Sequence, residues 1–275
     1  MIRTIRVFSD SLKIFFGNHC LDRAAAISYY AFLSLLPIML LLTAALGFVF
    51  KTRTDILENV IEFTRISVPY LSDRIVKDLE GLVAASVAFG WLSLVILLFS
   101  AEFVLNALSE ALLHIFDVRE SFGFFRRRVL NVLVALMAVL AALFSVLITA
   151  AVGIIRRVDI SLYGIDLTYW LLESLTLKYI VPFLIIVFTV TVVFQIFSGP
   201  NLRIRYAFYG SLIFAVLWEA AKQGFTFYIY NFPAYNRFYG SLGTVMVLLV
   251  WVYFSAMIFL FSASVARAAF IDRNL

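Results

Sequence analysis

The stretch VLNVLVALMAVLAALFSVLITAAVGII, residues 129–155, holds no charged side chain and directly follows the three arginines at 126–128. A helix needs about 20 predominantly apolar residues to cross the hydrocarbon core of a bilayer, whereas a barrel strand needs only about 9–11. In lipid every backbone polar group must find its partner within the protein, and only helices and closed barrels achieve this. The stretch therefore predicts a transmembrane helix.

The same pattern recurs on both sides of this stretch. Hydrophobic residues make up 64% of the 275-residue chain and charged residues only 14%, against about 25% in a typical soluble domain. The predicted spans are residues 24–50, 82–105, 129–155, 179–197, 206–230 and 242–266. The sequence therefore predicts an all-α, polytopic membrane protein whose six transmembrane helices form a single membrane domain over residues 1–275.

The first 20 residues carry an amphipathic pattern and no cleavable signal peptide, because they lack an unbroken apolar core. Ile5, Phe8, Leu12 and Phe15 recur at helical spacing. The cationic side chains lie elsewhere around the helix: Arg3, Arg6 and Lys13. This pattern favours an N-terminal amphipathic helix that lies on the membrane surface. The alternative is a solvated, partly ordered tail.

The distribution of Lys and Arg between the loops sets the orientation of a polytopic protein. With both termini in the cytoplasm, the inner segments hold twelve of these residues and the outer loops nine. The clearest inner markers are the short turn PNLRIR and the run FRRR. We therefore expect both termini to be cytoplasmic.

Two outer loops are long enough to hold structure of their own. Residues 51–81 mix charged and apolar positions, and Pro69 divides them into two predicted short surface helices. Residues 160–178 include LTYWLLESL, a segment that either lies in the outer interface or dips into the membrane.

One side of the fifth predicted span is polar. On a helix of 3.6 residues per turn, Glu219 shares its face with Ser211, Ala215, Lys222, Gln223, Thr226 and Tyr230, a set that we call the polar stripe. A charge at the centre of a bilayer costs about 2.5–3.5 kcal/mol on insertion scales. The polar stripe is therefore expected to face other helices or a wet cavity. Glu219 and Lys222 are three residues apart and can pair on the helix surface.

Two interpretations of the polar stripe stay open. In one, the Glu219–Lys222 pair joins neighbouring helices, and Lys222 extends toward the outer interface. In the other, the stripe lines a polar path or a binding cavity. The predicted membrane-embedded polar site consists of Glu219, Lys222, Gln223 and Thr226, with Glu102 and Asn106 at its inner mouth.

Two further residues mark the interior of predicted spans. Glu102 lies near the inner end of the second span, and its alternative role is that of an interfacial acid in contact with headgroup water. Pro37 lies in the middle of the first span and is predicted to kink it. Such a kink either opens a cavity or only shapes the bundle.

Basic residues on the inner side are candidates for contact with anionic lipid headgroups. They are Arg126, Arg127, Arg128, Arg203 and Arg205. The alternative is that these charges only set the topology. The net charge of +5 indicates membrane lipids, and not nucleic acid, as the partner. With one cysteine and two histidines, the chain is expected to hold neither a disulfide framework nor a His-built metal site, and no cofactor is predicted.

Several stretches together resemble the YihY/BrkB family of bacterial inner-membrane proteins. They are RAAAISYYAFLSLLPIMLLL at 23–42, FSAEFVLNALSEALLHIFDVRESFGFFRRRVL at 99–130, GPNLRIRYAFYGSL at 199–212 and LWEAAKQGFTFYIYNFPAYNRFYGSLGTVMVLLVWVYFSAMIFLFSASVARA at 217–268. Their order and spacing match the family, and the resemblance spans nearly the whole chain. The resemblance implies six spans in the inner membrane, cytoplasmic termini, and an envelope role linked to virulence and to lipid export or lipid balance.

The family also carried the label ribonuclease BN, which the residues of this chain argue against. Metal-dependent RNA cleavage needs a cluster of His and Asp ligands, whereas His19 and His114 stand alone in the sequence. This chain also departs from the family at the end of the sixth span. Family members often carry Gly-Ala-Glu there, and this chain carries Ser262, Ala263 and Ser264. Any proton-coupled role that needs that glutamate is in doubt.

The leading hypothesis is a transport-type membrane protein that moves or handles lipid or another amphiphile for the cell envelope. The alternative is a non-transporting membrane scaffold whose outer surface helices dock a periplasmic or membrane protein. A homo-oligomer is compatible with either function. No nucleophile–base pair or phosphate-binding loop stands out, so the sequence does not predict an enzyme.

Overall fold

A computed structural model describes residues 2–52, 72–118, 124–155, 161–162, 165–166, 180–231 and 241–274. Its helices are α1 (Ile2–Gly17), α2 (Cys20–Leu33), α3 (Leu35–Thr52), α4 (Ser72–Ile115), α5 (Phe124–Ile155), α6 (Val181–Ser198), α7 (Ile204–Asn231) and α8 (Ser241–Asn274). Between α5 and α6, β1 (Ser161–Leu162) and β2 (Ile165–Asp166) form a two-residue antiparallel pair. Apart from this pair and a short 3₁₀ turn before α7, the described elements are α-helices, which confirms the predicted helical class.

Among the residues that the structure describes, four helical segments are long and apolar enough to cross a membrane. They are Cys20–Leu42, Trp91–Ile115, Val181–Ser198 and Val245–Asp272. They correspond to the first, second, fourth and sixth predicted spans. Several such segments in one chain support a multi-pass membrane protein.

The third and fifth predicted spans are helical but do not belong to this group. Within α5 the described apolar segment is shorter, Arg128–Ala141. Helix α7 covers the whole fifth span, but Glu219 and Lys222 make it less apolar than the four segments above. The count of six spans therefore stays a prediction.

The first predicted span is interrupted at Ser34, one turn before Pro37. Pro37 has no N–H with which to bond the carbonyl of Leu33, so the helix loses one bond of its ladder there. The bonds on either side persist, because Ser34 N donates to Tyr30 O at 3.1 Å and Ile38 N donates to Ser34 O at 3.2 Å. The chain is thus divided into α2 and α3 where the proline removes a single backbone bond.

The chain forms two compact units, one of Met1–Ser28 with Leu105–Leu275 and one of Tyr29–Val104. In the larger unit α7 packs against both α6 and α8, α1 packs against α8, and α5 packs against α6. Phe194 is fully buried at the centre of this unit, with its ring centroid 5.9 Å from that of Phe116 and 5.2 Å from that of Phe259. In the smaller unit the ring of Tyr30 stacks on Phe103 at 5.6 Å. A single membrane domain over residues 1–275 stays a prediction.

The apolar side of α1 is divided between the protein and its surroundings. Phe15 is buried and its ring lies 5.8 Å from that of Phe261 on α8. Ile5, Phe8 and Phe16 are exposed. A position of α1 on the membrane surface stays a prediction. The predicted outer helix before Pro69 and most of the 160–178 loop lie outside the described residues. The prediction of a separate outer helix after Pro69 was wrong, because residues 72–81 form the start of the continuous helix α4.

Candidate functional site

The charged residues of the polar stripe are paired on α7. Lys222 Nζ lies 2.6 Å from Glu219 Oε2, and Gln223 Nε2 donates a hydrogen bond to Glu219 Oε1 at 3.3 Å. Spacings of three and four residues make these side chains neighbours on one helix face. Within the described part of the chain, the three side chains bond only to one another, so α7 alone holds the group together.

Exposure increases along the polar stripe. Ser211 and Ala215 are buried, and Ser211 Oγ lies 2.6 Å from Thr191 Oγ1 on α6. Further along α7 the side chain of Glu219 is 41% exposed and that of Lys222 is 43% exposed. The stripe residues Gln223 and Thr226 are exposed as well. The stripe therefore packs against a neighbouring helix at one end and opens to the surroundings at the other.

Two apolar cavities lie beside these helices, and the polar stripe lines neither of them. One, of about 480 Å³, lies between α7 and α8, and Ala221, Gly224, Phe225 and Tyr228 form its α7 wall. These positions lie about 180° around the helix axis from Glu219. The other, of about 630 Å³, lies between α5 and α6. The predicted polar cavity has no counterpart in these two, and a binding site at the polar stripe stays a prediction.

Asn106 accepts a hydrogen bond from a residue that the sequence patterns did not single out. Asn131 Nδ2 on α5 donates a hydrogen bond to Asn106 Oδ1 on α4 at 2.8 Å. Asn131 is only 4% exposed, and its Oδ1 has no partner among the described atoms. The signal in the sequence was a lone asparagine near the start of the long apolar stretch. Polar side chains in such stretches often bond across helices.

Glu102 lies one turn before Asn106 on α4 and is partly buried. Helix α4 continues to Ile115, ten residues beyond the predicted end of the second span at Leu105. Glu102 is therefore in the interior of a long helix. Glu102 belongs to the unit of residues 29–104 and the polar stripe to the larger unit, so a shared site stays a prediction.

The described headgroup candidates are exposed. Arg203 and Arg205 flank the first residue of α7, and Arg128 lies in the first turns of α5. The side chains of Arg126 and Arg127 lie outside the described set. Since the N-terminus of a helix carries partial positive charge, the start of α7 favours anions through both its backbone and its two arginines.

Arg267 has a structural role that its place in the sequence did not indicate. Its Nη1 donates a hydrogen bond to the carbonyl of Asn201 at 3.1 Å, and its Nη2 lies 3.8 Å from Asp117 Oδ2. Asn201 Nδ2 in turn donates to the carbonyl of Asp117 at 3.1 Å. These contacts join the residues after α4, the turn before α7 and the end of α8. The available signal was an arginine between small and apolar residues, in SVARAAF at 264–270.

The residues that stand where the resemblance predicts Gly-Ala-Glu are packed inside the protein. Ser262, Ala263 and Ser264 are fully buried. The two serine hydroxyls donate to backbone carbonyls of their own helix, at 2.8 Å and 2.9 Å. No three His, Cys, Asp or Glu side chains of the described ranges are arranged to hold a metal ion. The absence of a metal and of a cofactor stays a prediction.

Comparison with known proteins places the chain among bacterial membrane proteins. The family model described as Virulence factor BrkB matches residues 12–274. The UPF0761 membrane protein of Aeromonas salmonicida is 30% identical over 247 residues, which cover 87% of this chain and 80% of the relative. The UPF0761 membrane protein of Alkalilimnicola ehrlichii is 31% identical over 260 residues, covering 90% of this chain and 55% of the relative.

A more distant relative carries a different kind of name. Protein YfkH of Bacillus subtilis, named as ribonuclease-like, is 22% identical over 262 residues, covering 92% of this chain and 93% of the relative. No solved structure matches the chain.

Proposed function

The chain belongs to the Virulence factor BrkB family, and from this premise we propose that it passes or holds the polar headgroup of a lipid or another amphiphile inside the membrane, without covalent chemistry. We also propose that it resides in the bacterial inner membrane with both termini in the cytoplasm. Membrane lipids are its proposed partners. That it is a multi-pass membrane protein follows from its apolar helices and from relatives named as membrane proteins.

The half-exposed Glu219–Lys222 pair carries this proposal. If the pair only joined helices, its atoms would be expected to bond to a second helix, whereas among the described residues they bond within α7. Pairing lowers the cost of placing charges in lipid without removing it. An exposed ion pair is stable at membrane depth only beside water or polar groups. A polar path for headgroups along α7 supplies such surroundings.

The exposed arginines support the proposed binding of lipid headgroups. A basic residue close to an anionic membrane surface contributes about 1 kcal/mol of attraction. Arg203, Arg205 and Arg128 would raise the local concentration of anionic headgroups on their side of the protein. A headgroup attracted to these arginines would then bind at the polar stripe, which lies farther along α7.

The proposal is tested by lipid scrambling in vesicles of phosphatidylcholine and phosphatidylglycerol that hold the full-length protein. We expect Glu219→Ala combined with Lys222→Ala to abolish most of the flux, because both charges of the path are lost. The double replacement also avoids leaving one charge unpaired, which would destabilise the protein. The exchange Glu219→Lys with Lys222→Glu restores an ion pair and is expected to retain flux.

Helix α1 offers a matched control. Asp10 and Lys13 form an ion pair at 3.0 Å with the same three-residue spacing. Asp10→Ala combined with Lys13→Ala is expected to leave flux unchanged. Undiminished flux in the folded α7 double variant, or an equal loss in the α1 double variant, would contradict the proposed path.

The scaffold function is a separate proposal and depends on residues 51–81, most of which lie outside the described set. Photo-crosslinking from positions 55–80 distinguishes the two functions. A scaffold captures a protein partner from these positions and supports no lipid flux, whereas a lipid-handling protein supports flux in vesicles without any partner.

A further inference from the structure

A groove runs between α7 and α8 on the side of α7 opposite the polar stripe. Its volume is about 480 Å³. Gly224 and Phe225 form part of the α7 wall, and Met246, Val250 and Trp251 form part of the α8 wall. A Cβ atom added at Gly224 would meet no atom within 4 Å. The missing side chain of this glycine therefore leaves space inside the groove.

Aromatic rings line part of the groove, where Phe225 and Trp251 meet, and continue behind it. The ring of Phe225 lies 4.6 Å from that of Trp251, and Trp251 lies 5.1 Å from Trp218. Trp218 in turn stacks on Phe214 at 5.7 Å. Contacts between aromatic rings are worth about 0.5–1.5 kcal/mol beyond the area that they bury, so these rings help to hold the α7 and α8 walls together.

The α8 wall of the groove is about as long as one leaflet of a bilayer is thick. Along α8 its wall extends from Met246 to Ile258, which at 1.5 Å per residue is about 18 Å. The hydrocarbon core of a bilayer is about 30 Å thick, so one leaflet supplies acyl chains over about 15 Å. The α7 wall, from Ala221 to Tyr228, is shorter, about 10 Å. The groove can therefore hold part of one acyl chain between its two walls.

The surroundings of the groove also indicate a hydrocarbon occupant. Its α8 wall lies in Val245–Asp272, one of the segments that can cross a membrane. Met246 is 58% exposed and Phe254 is 46% exposed along its rim. If α8 crosses the membrane as predicted, this rim borders the hydrocarbon core. Apolar walls that no other group contacts lose dispersion energy, and an acyl chain bound in the groove would restore these contacts.

We propose that this groove binds a single acyl chain of a membrane phospholipid. Lipid tails are as apolar as the groove, so the preference for the site comes from the fit of a chain against the lining rings and not from a hydrophobic gain. The inference does not depend on the proposed function of the polar stripe, since a chain can bind here whether or not a headgroup passes along Glu219.

The test uses full-length protein in vesicles that contain a trace of phospholipid with a diazirine in its acyl chain. Illumination releases nitrogen and attaches the chain to whatever it touches, and mass spectrometry maps the adducts. Adducts at 221–228 and 246–258 are expected to exceed those at the exposed apolar residues of α5. In Gly224→Phe the new ring fills the groove, and its adducts are expected to fall to the α5 level.

Three controls isolate the effect of filling the groove. Gly224→Ala adds one carbon at the same site and is expected to keep the adducts. Val132→Phe adds a ring at an exposed position of α5 and is expected to keep them too. Val250→Trp fills the groove from α8 and serves if Gly224→Phe fails to fold.

Two results would overturn the proposal: adducts no more frequent in the groove than on α5, or groove adducts unchanged in a folded filling variant. Lipid scrambling measured in the same vesicles reports on Glu219 and Lys222 separately. If groove adducts are lost while lipid flux stays normal, the change concerns the groove alone. If flux is lost while groove adducts persist, the change concerns Glu219 and Lys222 alone.

Discussion

Gly210 lies on α7 at a close approach to both α6 and α8. A Cβ atom at this position would lie 2.7 Å from Ala266 Cβ, 2.9 Å from the Ser262 carbonyl oxygen and 3.2 Å from a ring carbon of Phe194. Two of these contacts involve atoms on the stiff backbone of α8, which cannot move aside cheaply. We expect Gly210→Ala to lower the stability of the protein by roughly 1–3 kcal/mol through overpacking, seen as a lower melting temperature in detergent by circular dichroism.

Gly224 provides the comparison for this prediction, because it lies on the same helix and has open space around its missing side chain. Gly224→Ala adds the same carbon without a collision and improves helix propensity, so it is expected to leave the melting temperature unchanged or raise it. Equal decreases in the two variants would show that the effect comes from the helix backbone and not from the contact with Ala266.

At the scale of single residues, the sequence predicts contacts within a helix better than contacts between helices. The spacing of Glu219 and Lys222 was sufficient to expect their pairing, because helix geometry alone brings them together. Ser211 belongs to the same stripe but is buried against α6, while Glu219 is partly exposed. That difference depends on which part of α7 is in contact with α6. The spacing of residues within α7 does not predict this contact.

Among the helices, α4 and α5 are joined by the hydrogen bond between Asn106 and Asn131. In a double-mutant cycle of Asn106→Ala and Asn131→Ala, we expect a coupling free energy of about 0.6 kcal/mol and at most about 1.7 kcal/mol, the range of such bonds in membranes. The coupling is measured from the unfolding of the four proteins in one detergent. Strict additivity of the two single replacements would contradict a direct bond.

The boundaries of elements were harder to predict than their existence. The second span was ended at Leu105 because polar residues follow, but α4 continues to Ile115. Polar side chains such as Ser109 can remain helical, since Ser109 Oγ bonds the carbonyl of Asn106 within the same helix. In the first span, the effect of Pro37 appears one turn earlier, at Ser34, because the lost backbone bond belongs to the carbonyl of Leu33.

For the molecule as a whole, composition indicated a membrane protein but could not fix the number of spans. Helix α7 shows why: a span that carries Glu219 and Lys222 has the length of a transmembrane helix without its uniform apolar character. The same two residues that make α7 the best candidate for a functional site therefore remove it from the most apolar helices. Orientation in the membrane rests on the loop charges, and it can be measured directly.

The proposed orientation places the turn before α7 in the cytoplasm and the loops at 55 and 235 outside. The only native cysteine, Cys20, is buried, and Cys20→Ser removes any remaining background. In that background we expect Asp55→Cys and Tyr235→Cys to react with a membrane-impermeant maleimide added to spheroplasts. Arg205→Cys, at an exposed position, is expected to react only after the membrane is permeabilised, because the reagent cannot cross the bilayer.

Permeabilised membranes are the necessary control, since they show that every introduced thiol is reactive when the reagent can reach it. If Arg205→Cys were labelled in intact spheroplasts while Asp55→Cys was protected, the termini would lie outside. The basic residues would then face the outer leaflet, and the attraction of cytoplasmic anionic lipid to Arg203 and Arg205 would no longer apply. The groove between α7 and α8 would be unaffected by such a reversal, because its fit to an acyl chain depends on length and shape and not on which leaflet supplies the lipid.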